Sequence, residues 1–544
     1  MAAVLVSTFK SSERYEKAVL AVWRGHCDAE LVTVMNDTRA ALRSLAIYAV
    51  SIPLALLLGY LLANPLDMQS FGFFGIVFLV ISAPLVLRFH YPLMLLAWNS
   101  GVLLFFLPGS MSLAYAAIVV SFAVSLSHHI MDKRVQFVSV PALTRPLVAM
   151  AAVVVGTMIL RGGIGLRSLG GESLGGRYYV FLLLDILGYF ALTTRAIPPG
   201  RVKWYVGLFL LGATASIISD LYGVLPSGFD FLFWFIPPSA MDVPGVVVSR
   251  FGGIAAASLA VCLFMLARYG VRGLLATGRK HLFGLFCAFG FVAMYGGFRS
   301  MFIALSMTFF FQFLIEGLYR TKWLVIFGVA LMLSVAVAAP FVTKLPLPIQ
   351  RALAVLPIKV DPQAKMDAEA SSEWRLQMWR VAWPEVPQYL LLGKGYGLTA
   401  RDYAMMTDRA ITAFKAEDRG AFLAGDYHNG PLSILIPFGL WGALVFLWFI
   451  GEGLRVLWRN HRFGRRDLQS VNAYLLAVCI TRVIMFLFVV GSFSTDMMSF
   501  AAFVGLSVAL NGGVAQRLAQ EAAPQPKPVT AELQAAYPRR LGVG

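Results

Sequence analysis

The sequence predicts an all-α polytopic membrane protein of about 14 transmembrane helices, with one large polar loop that itself contains short helices. Three observations carry this expectation. Over 544 residues the chain is 59% hydrophobic and only 13% charged, more apolar surface than a soluble domain of this size hides. Hydrophobic runs of about 17–20 residues recur, the length that crosses a ~30 Å hydrocarbon core as a helix. One polar insertion, residues 343–430, stands out in a chain that otherwise passes from run to run through mostly short connections. A β-barrel would show short alternating segments instead.

Taken in order, residues 1–44 are mixed and charged (Lys10, Glu13, Arg14, Glu16, Lys17, Arg24). They lack the unbroken apolar stretch of a signal peptide and read as a cytoplasmic or interfacial helix, with Trp23 as an interface anchor. Eleven spans are expected over 45–342: 45–63, 71–87, 91–107, 111–127, 146–160, 178–194, 203–220, 249–267, 282–297, 300–318 and 323–342. The polar loop 343–430 follows, then three spans over 431–512, at 431–450, 470–490 and 495–512. Residues 513–544, with Pro524, Pro526 and Pro528, read as a disordered cytoplasmic tail. Two further connections exceed a turn. Residues 161–177 are glycine-rich, and 221–248, with Pro237-Pro238, read as an interfacial or re-entrant piece too short to span.

Charge placement sets the orientation. With the N-terminus inside, the inner connections hold Arg88, Lys133, Arg134, Arg145, Arg195, Arg201, Lys203, Arg268, Arg272, Arg279, Lys280, Arg320, Lys322 and the group Arg455, Arg459, Arg462, Arg465 and Arg466. The short outer ones hold Arg161, Arg167, Arg177 and Arg299. This bias puts both termini inside and the 343–430 loop outside. It also accounts for the net charge of +17 without a nucleic-acid partner. Three of the four cysteines, Cys262, Cys287 and Cys479, fall in apolar spans; with Cys27 they form neither a disulfide framework nor a metal-ligand spacing.

The residues able to carry chemistry gather on the outer side. Glu373-Trp374-Arg375-Leu376-Gln377-Met378-Trp379-Arg380 has helical character, with Arg375 and Trp379 on one face. Gly393-Lys394-Gly395-Tyr396-Gly397 is a glycine-spaced turn that allows close backbone approach to a ligand. His428 precedes the span at 431, and Arg299 opens the span at 300 after Gly296-Gly297. Taken singly, each is ordinary. A lone interfacial arginine is usually a snorkelling anchor, a lone loop histidine is usually just a loop residue, and the short glycine run lacks a preceding strand and an assured helix N-terminus.

Together they are more specific. Gly297-x-Arg299-Ser300 is followed by Glu373-x-Arg375-x-x-x-Trp379, then by Gly393-x-Gly395-x-Gly397, and then by His428-Asn429 with Leu432, Gly439 and Gly442 behind it. This order resembles the O-antigen ligase and polysaccharide polymerase family of bacterial inner-membrane proteins, over about residues 290–450. The resemblance implies glycosyl transfer on the periplasmic side, from an undecaprenyl-diphosphate-linked glycan donor to an acceptor hydroxyl on a glycan or on lipid A-core. It maps the family's functional arginines onto Arg299 and Arg375 and its histidine onto His428. It also implies an inverting, metal-independent reaction with no cofactor, a place in the bilayer of the inner membrane, and contact with other polysaccharide export proteins.

The residue types fit that chemistry independently. Guanidinium forks bind phosphate oxygens bidentately and stay charged at working pH, and an imidazole suits the base or orienting acceptor for a hydroxyl. The acidic residues Asp361, Asp367, Asp402, Asp408 and Asp426 are scattered rather than arranged for a divalent ion. Arg482, Lys394, Tyr396, Arg401 and Glu373 are further candidates for diphosphate or glycan binding. Asp185 and Arg482 are intramembrane charges, read either as partners of each other or of backbone, or, for Arg482, as a diphosphate contact.

The competing reading is a transporter, for instance a lipid-linked oligosaccharide flippase. A flippase should have short loops and a charged central path; a dominant outer loop favours the enzyme. Within the enzyme reading, the loop's eleven Lys/Arg against ten Asp/Glu lean slightly towards a polymerase of repeat units over a ligase, whose phosphorylated acceptor favours a basic surface.

Overall fold

The computed structural model describes residues 68–516 except 108, 134–135, 163–175, 240–249 and 398–421, together with scattered helical positions between 48 and 59. The expected N-terminal segment, most of the first span, the glycine-rich connection, Arg401 and nearly all of the tail lie outside the described residues.

The chain forms two compact units, Met1–Arg88 and Phe89–Gly544. Helix α1 (Met68–Trp98) breaks its helical geometry at Phe89, where the units meet in sequence. The second unit carries the candidate site described below. Its helices are α2 (Leu113–Met131), α3 (Pro141–Arg161), α4 (Arg177–Leu192), α5 (Val202–Leu211), α6 (Gly252–Leu274), α7 (Lys280–Ala293), α8 (Arg299–Ile315) and α9 (Trp323–Ala338). Within the polar insertion come α10 (Leu347–Leu353) and α11 (Pro362–Ala382), and then α12 (Gly430–Phe463), α13 (Gln469–Ile484) and α14 (Phe493–Asn511).

Among the described residues, 8 helical segments are long and apolar enough to cross a membrane, and the shorter apolar helices Lys280–Gly296, Arg299–Ile315 and Trp323–Val337 accompany them. The expectation of fourteen spans is therefore met only in part. One difference has a local cause. The span expected at 91–107 stops as helix at Trp98; left-handed Gly101 precedes, and left-handed Gly109 lies in the connecting loop of, a two-residue antiparallel hairpin pairing Leu103–Leu104 with Met111–Ser112. Among its described residues, the expected interfacial stretch holds a 3₁₀ turn at Ser227–Phe229 and a single helical turn at Leu232–Phe235.

The core lies around α14, which packs against α4, α12 and α13. Its small residues Ala501, Ala502, Gly505, Ser507 and Ala509 are buried. A Cβ at Gly505 would stand 3.0 Å from Leu192, so a small residue there lets α4 approach closely.

The polar insertion is pinned down by local rules. Asp361 caps α11 by accepting the amide of Gln363 at 2.8 Å, with Pro362 at the first helical position. Asn429 caps α12 in the same way, accepting from Leu432 N at 3.0 Å ahead of Pro431. Buried Gln350 ties α10 to its surroundings, donating to the carbonyls of Thr343 and Leu345 and accepting from Asp361 N. The result sets α10 against the turn Met294–Gly296 that leads into α8.

Candidate functional site

Four arginines from separate segments converge where α8 begins. Arg299, the first residue of α8, donates from Nη2 to the carbonyl of Ala368 at 2.7 Å and to Ser372 Oγ at 3.0 Å, both on α11. Arg351 on α10 donates from Nε to Asp367 and from Nη1 to the carbonyl of Gly297. Arg250, just before α6, reaches the same Asp367 carboxylate at 3.1 Å. Arg375 lies one turn beyond Ser372 on α11, within electrostatic reach of Arg299, and its Nε is buried with no hydrogen-bond acceptor among the described residues.

Asp367 is the one carboxylate paired with any of the four among the described residues. Four positive charges around one negative leave an excess of three. Burial, and then the charge of Arg299, push the Arg375 guanidinium below its usual pKa. Burial, and then Arg250, do the same to Arg351, with Asp367 opposing them. Chemically this is a preformed seat for a polyanion, because guanidinium groups crowded together are relieved by phosphate oxygens.

The backbone that makes the seat possible is the Gly296-Gly297 turn. Gly297 is left-handed at φ 63°, and a Cβ at Gly296 would fall 2.7 Å from Ala255 Cβ. The turn thus points its carbonyl at Arg351 and lets α8 start beside α6.

The histidine joins through the same helix. Ala368, Ser372, Arg375 and Trp379 line one face of α11 at helical spacing. The first two receive Arg299, and Trp379 Nε1 donates to the carbonyl of Tyr427 at 2.9 Å, fixing the residue before His428. His428 sits left-handed at φ 49° and packs edge-on against Trp374 with ring centroids 5.0 Å apart. Its amide donates to Asp426 Oδ1 at 3.2 Å, and its Nδ1 lies 3.1 Å from the same oxygen. The Nδ1 contact falls short of hydrogen-bond geometry, so the carboxylate acts on the imidazole chiefly through its charge. The two side chains are each about one-third exposed, at 29% and 32%, which leaves the ring reachable by substrate.

The structure thus brings Arg299, Arg375 and His428 to one end of the helices. Glu373 is exposed on α11. Of the readings open for Arg482, the pair with Asp185 does not form: Arg482 makes an ion pair with Asp496 at 3.5 Å, and Asp496 lies close enough to Asp426 for the two carboxylates to interact. The reason is positional: Asp496 stands in the first turn of α14, where the chain doubles back from α13, whereas Asp185 is fully buried within α4 beside Tyr115.

Lys394 and Tyr396 take a different place from a ligand cradle. Gly393 and Gly395 do allow a close approach, but to the protein's own helices: a Cβ at Gly393 would meet the Pro437 carbonyl at 2.1 Å, and one at Gly395 would meet the Tyr179 side-chain Oη at 2.2 Å. Lys394 N and Gly395 N donate to the carbonyls of Ile436 and Pro437, where α12 is broken at Gly439. Lys394 Nζ pairs with buried Glu385 at 3.3 Å. Tyr396 is 5% exposed among Tyr178, Tyr179 and Phe438, its amide donating to Tyr179 Oη, and burial drives its phenol well above the usual pKa. The glycine run is a docking seam. Arg401 lies outside the described residues.

Arg250, Arg351, Asp367 and Asp426 were not singled out from sequence. The signal that could have found the arginines is topological: each adjoins an expected outer-face segment, as Arg299 does.

A bundle of apolar helices long enough to span, with four arginines around one carboxylate and a histidine–carboxylate pair at one end, defines the class as a multi-pass membrane protein. Residues 282–447 match the family model described as O-antigen ligase, close to the stretch carrying the resemblance. The match supports a glycosyl-transfer role in O-antigen or polysaccharide assembly. No curated protein matches the chain.

Proposed function

We propose that the protein is a periplasmic-side glycosyltransferase of the inner membrane that moves a glycan from undecaprenyl diphosphate to an acceptor hydroxyl. The observation that carries this reading is the set of four arginines around a single carboxylate. The diphosphate of the donor sits on Arg250, Arg299, Arg351 and Arg375. His428 takes the proton of the acceptor hydroxyl at Nε2, the Asp426 carboxylate favouring the proton of the neutral ring at Nδ1. The acceptor oxygen forms a bond to the anomeric carbon from the face opposite the diphosphate, the bond from that carbon to the diphosphate oxygen breaks, and the anomeric configuration inverts. The departing diphosphate gains negative charge on oxygens already held by guanidiniums. One well-placed donor of this kind contributes on the order of 3–4 kcal/mol to the transition state.

The outer-side placement rests on the charge bias of the connections, and the slight lean to a polymerase on the near balance of charge in the loop. Purified protein in liposomes, given an undecaprenyl-diphosphate glycan and acceptor, is expected to form a glycosidic bond and release undecaprenyl diphosphate. Translocation of the lipid with no bond formed would select the flippase instead. In cells lacking the protein, accumulation of single repeat units marks a polymerase, and accumulation of long lipid-linked chains marks a ligase.

A further inference from the structure

At the opposite end of the bundle the same helices enclose a second basic site. Helices α6, α8 and α12 each begin at the arginine–histidine site, at Gly252, Arg299 and Gly430, and end around a cavity of about 670 Å³. By the rise of α6 and α8 the two places lie roughly 25–35 Å apart. The cavity is lined by Tyr269, Arg272, Arg279, Glu316, His461 and Arg466, among others.

Its charges do not cancel. Glu316 is the one carboxylate in the lining, and its two oxygens are already engaged, accepting from Val271 N at 3.1 Å, Arg272 N at 2.7 Å and Gln312 Nε2 at 2.9 Å. These bonds close the break that left-handed Gly270 makes in α6, where a Cβ would stand 2.5 Å from the Glu316 carboxylate. The Arg272 guanidinium donates to the Glu316 carbonyl at 2.8 Å. Arg279 only overlies the ring of Tyr269, at 5.8 Å, and among the described residues neither it nor Arg466 has a carboxylate partner. His461 Nδ1 is buried without a hydrogen-bond partner among the described residues. Two exposed guanidiniums without counterions, an unmatched imidazole nitrogen and an open volume between apolar helix ends form an oxyanion seat.

We propose that this cavity binds a phosphate oxyanion, supplied by the headgroup of an anionic phospholipid whose chains lie along α6 and α8. Arg279 and Arg466 clamp the phosphate, Tyr269 and Ile315 flank the glycerol region, and Glu316 shapes the wall without opposing the ligand. A lipid is favoured as the source because the cavity lies where apolar helices end, at the depth of headgroups in a bilayer.

The test uses the full-length protein in phosphatidylcholine nanodiscs with and without phosphatidylglycerol, followed by native mass spectrometry of retained lipid. Wild type is expected to retain phosphatidylglycerol in preference to phosphatidylcholine. Arg279→Ala and Arg466→Ala should each weaken retention roughly fivefold, the effect of removing one basic residue at a lipid surface. Arg320→Ala is the control, a basic residue at the same end but outside the cavity, and should retain lipid like wild type. Arg279 and Arg466 are both exposed, so folding is not at stake. Equal retention by wild type and the two variants overturns the proposal, as does loss in Arg320→Ala of the same size. Adding inorganic phosphate separates the sources. A phosphatidylglycerol adduct that survives it supports the lipid, and one displaced by it overturns the lipid assignment in favour of a soluble phosphate.

Discussion

Arg299 reaches from the first turn of a membrane helix to Ser372 on the loop helix, Nη2 to Oγ at 3.0 Å, and to the carbonyl of Ala368 beside it at 2.7 Å. Both acceptors are neutral, so the guanidinium is positioned without being neutralised. Arg375, three residues beyond Ser372 on the same face, keeps its charge as well. Arg299→Ala and Arg375→Ala should therefore each lower glycan transfer by roughly 10²–10³-fold while the protein stays folded in the membrane. Arg375→Lys should recover little, because an ammonium cannot fork across two phosphate oxygens. Product formation by purified protein, normalised to folded protein, checks this; near-normal transfer by Arg375→Ala removes it from the diphosphate seat.

Asp367 holds Arg250 and Arg351 together, and Arg351 is almost wholly buried. Asp367→Asn should cost on the order of 3 kcal/mol, since taking away one member of a buried pair strands the other charge. The measurement is thermal unfolding in detergent, and the drop in midpoint should exceed that of Arg375→Ala, whose guanidinium has no carboxylate to strand.

The depressed pKa values of Arg351 and Arg375 fix a sign. Each binds its proton less tightly folded than unfolded, so the penalty for holding the charge is present at every pH below the folded value and fades only in strong alkali. At working pH the crowded guanidiniums carry that penalty, and a bound anion would relieve it. Pyrophosphate should raise the unfolding temperature, equivalent to about 2.7 kcal/mol at a hundred times its dissociation constant. Arg375→Ala should shrink the shift, and an unchanged shift would place the anion elsewhere.

Much of this site was legible in the sequence, for a physical reason. Arg299 and His428 flank helix starts whose signals are local, a glycine pair and an Asn-Gly-Pro cap, and Arg375 lies in the second half of an acid-capped helix. Arg351 and Arg250 meet Asp367 only after α10 folds back on the turn before α8, a contact spaced 54 residues from Gly297 to Arg351 and invisible to any local pattern. The glycine run misled for the complementary reason. Close approach was correctly expected, but the sequence does not say whether ligand or backbone approaches, and here Pro437 does. Asn429 and Gly430, part of the same motif as His428, serve a cap and a tight contact with Phe486, so a motif mixes chemistry with packing.

That seam can be tested directly. Gly393→Ala puts a methyl group into the Pro437 carbonyl and strains a residue at φ 69°. The cost should exceed about 1–3 kcal/mol, the usual range for overpacking. The expected result is less folded protein with unchanged activity per folded molecule. A ligand-cradling turn would give the reverse, normal folding with a raised KM for donor.

Asp426 touches no substrate in the proposed reaction; it acts through His428, whose Nδ1 it faces at 3.1 Å. Removing its charge should leave donor binding intact and lower the efficiency of proton removal. Asp426→Asn is therefore expected to reduce kcat by about 10- to 100-fold with little change in KM, a smaller loss than His428→Ala, for which general-base removal predicts about 10²–10⁴. The decisive measurement is the double variant. If Asp426 works only by holding the imidazole, its loss does no further harm once the imidazole is gone, and the double variant matches His428→Ala alone. Additive losses would show instead that Asp426 reaches the reaction by its own route, and that the carboxylate beside Arg482 and Asp496 has a second task.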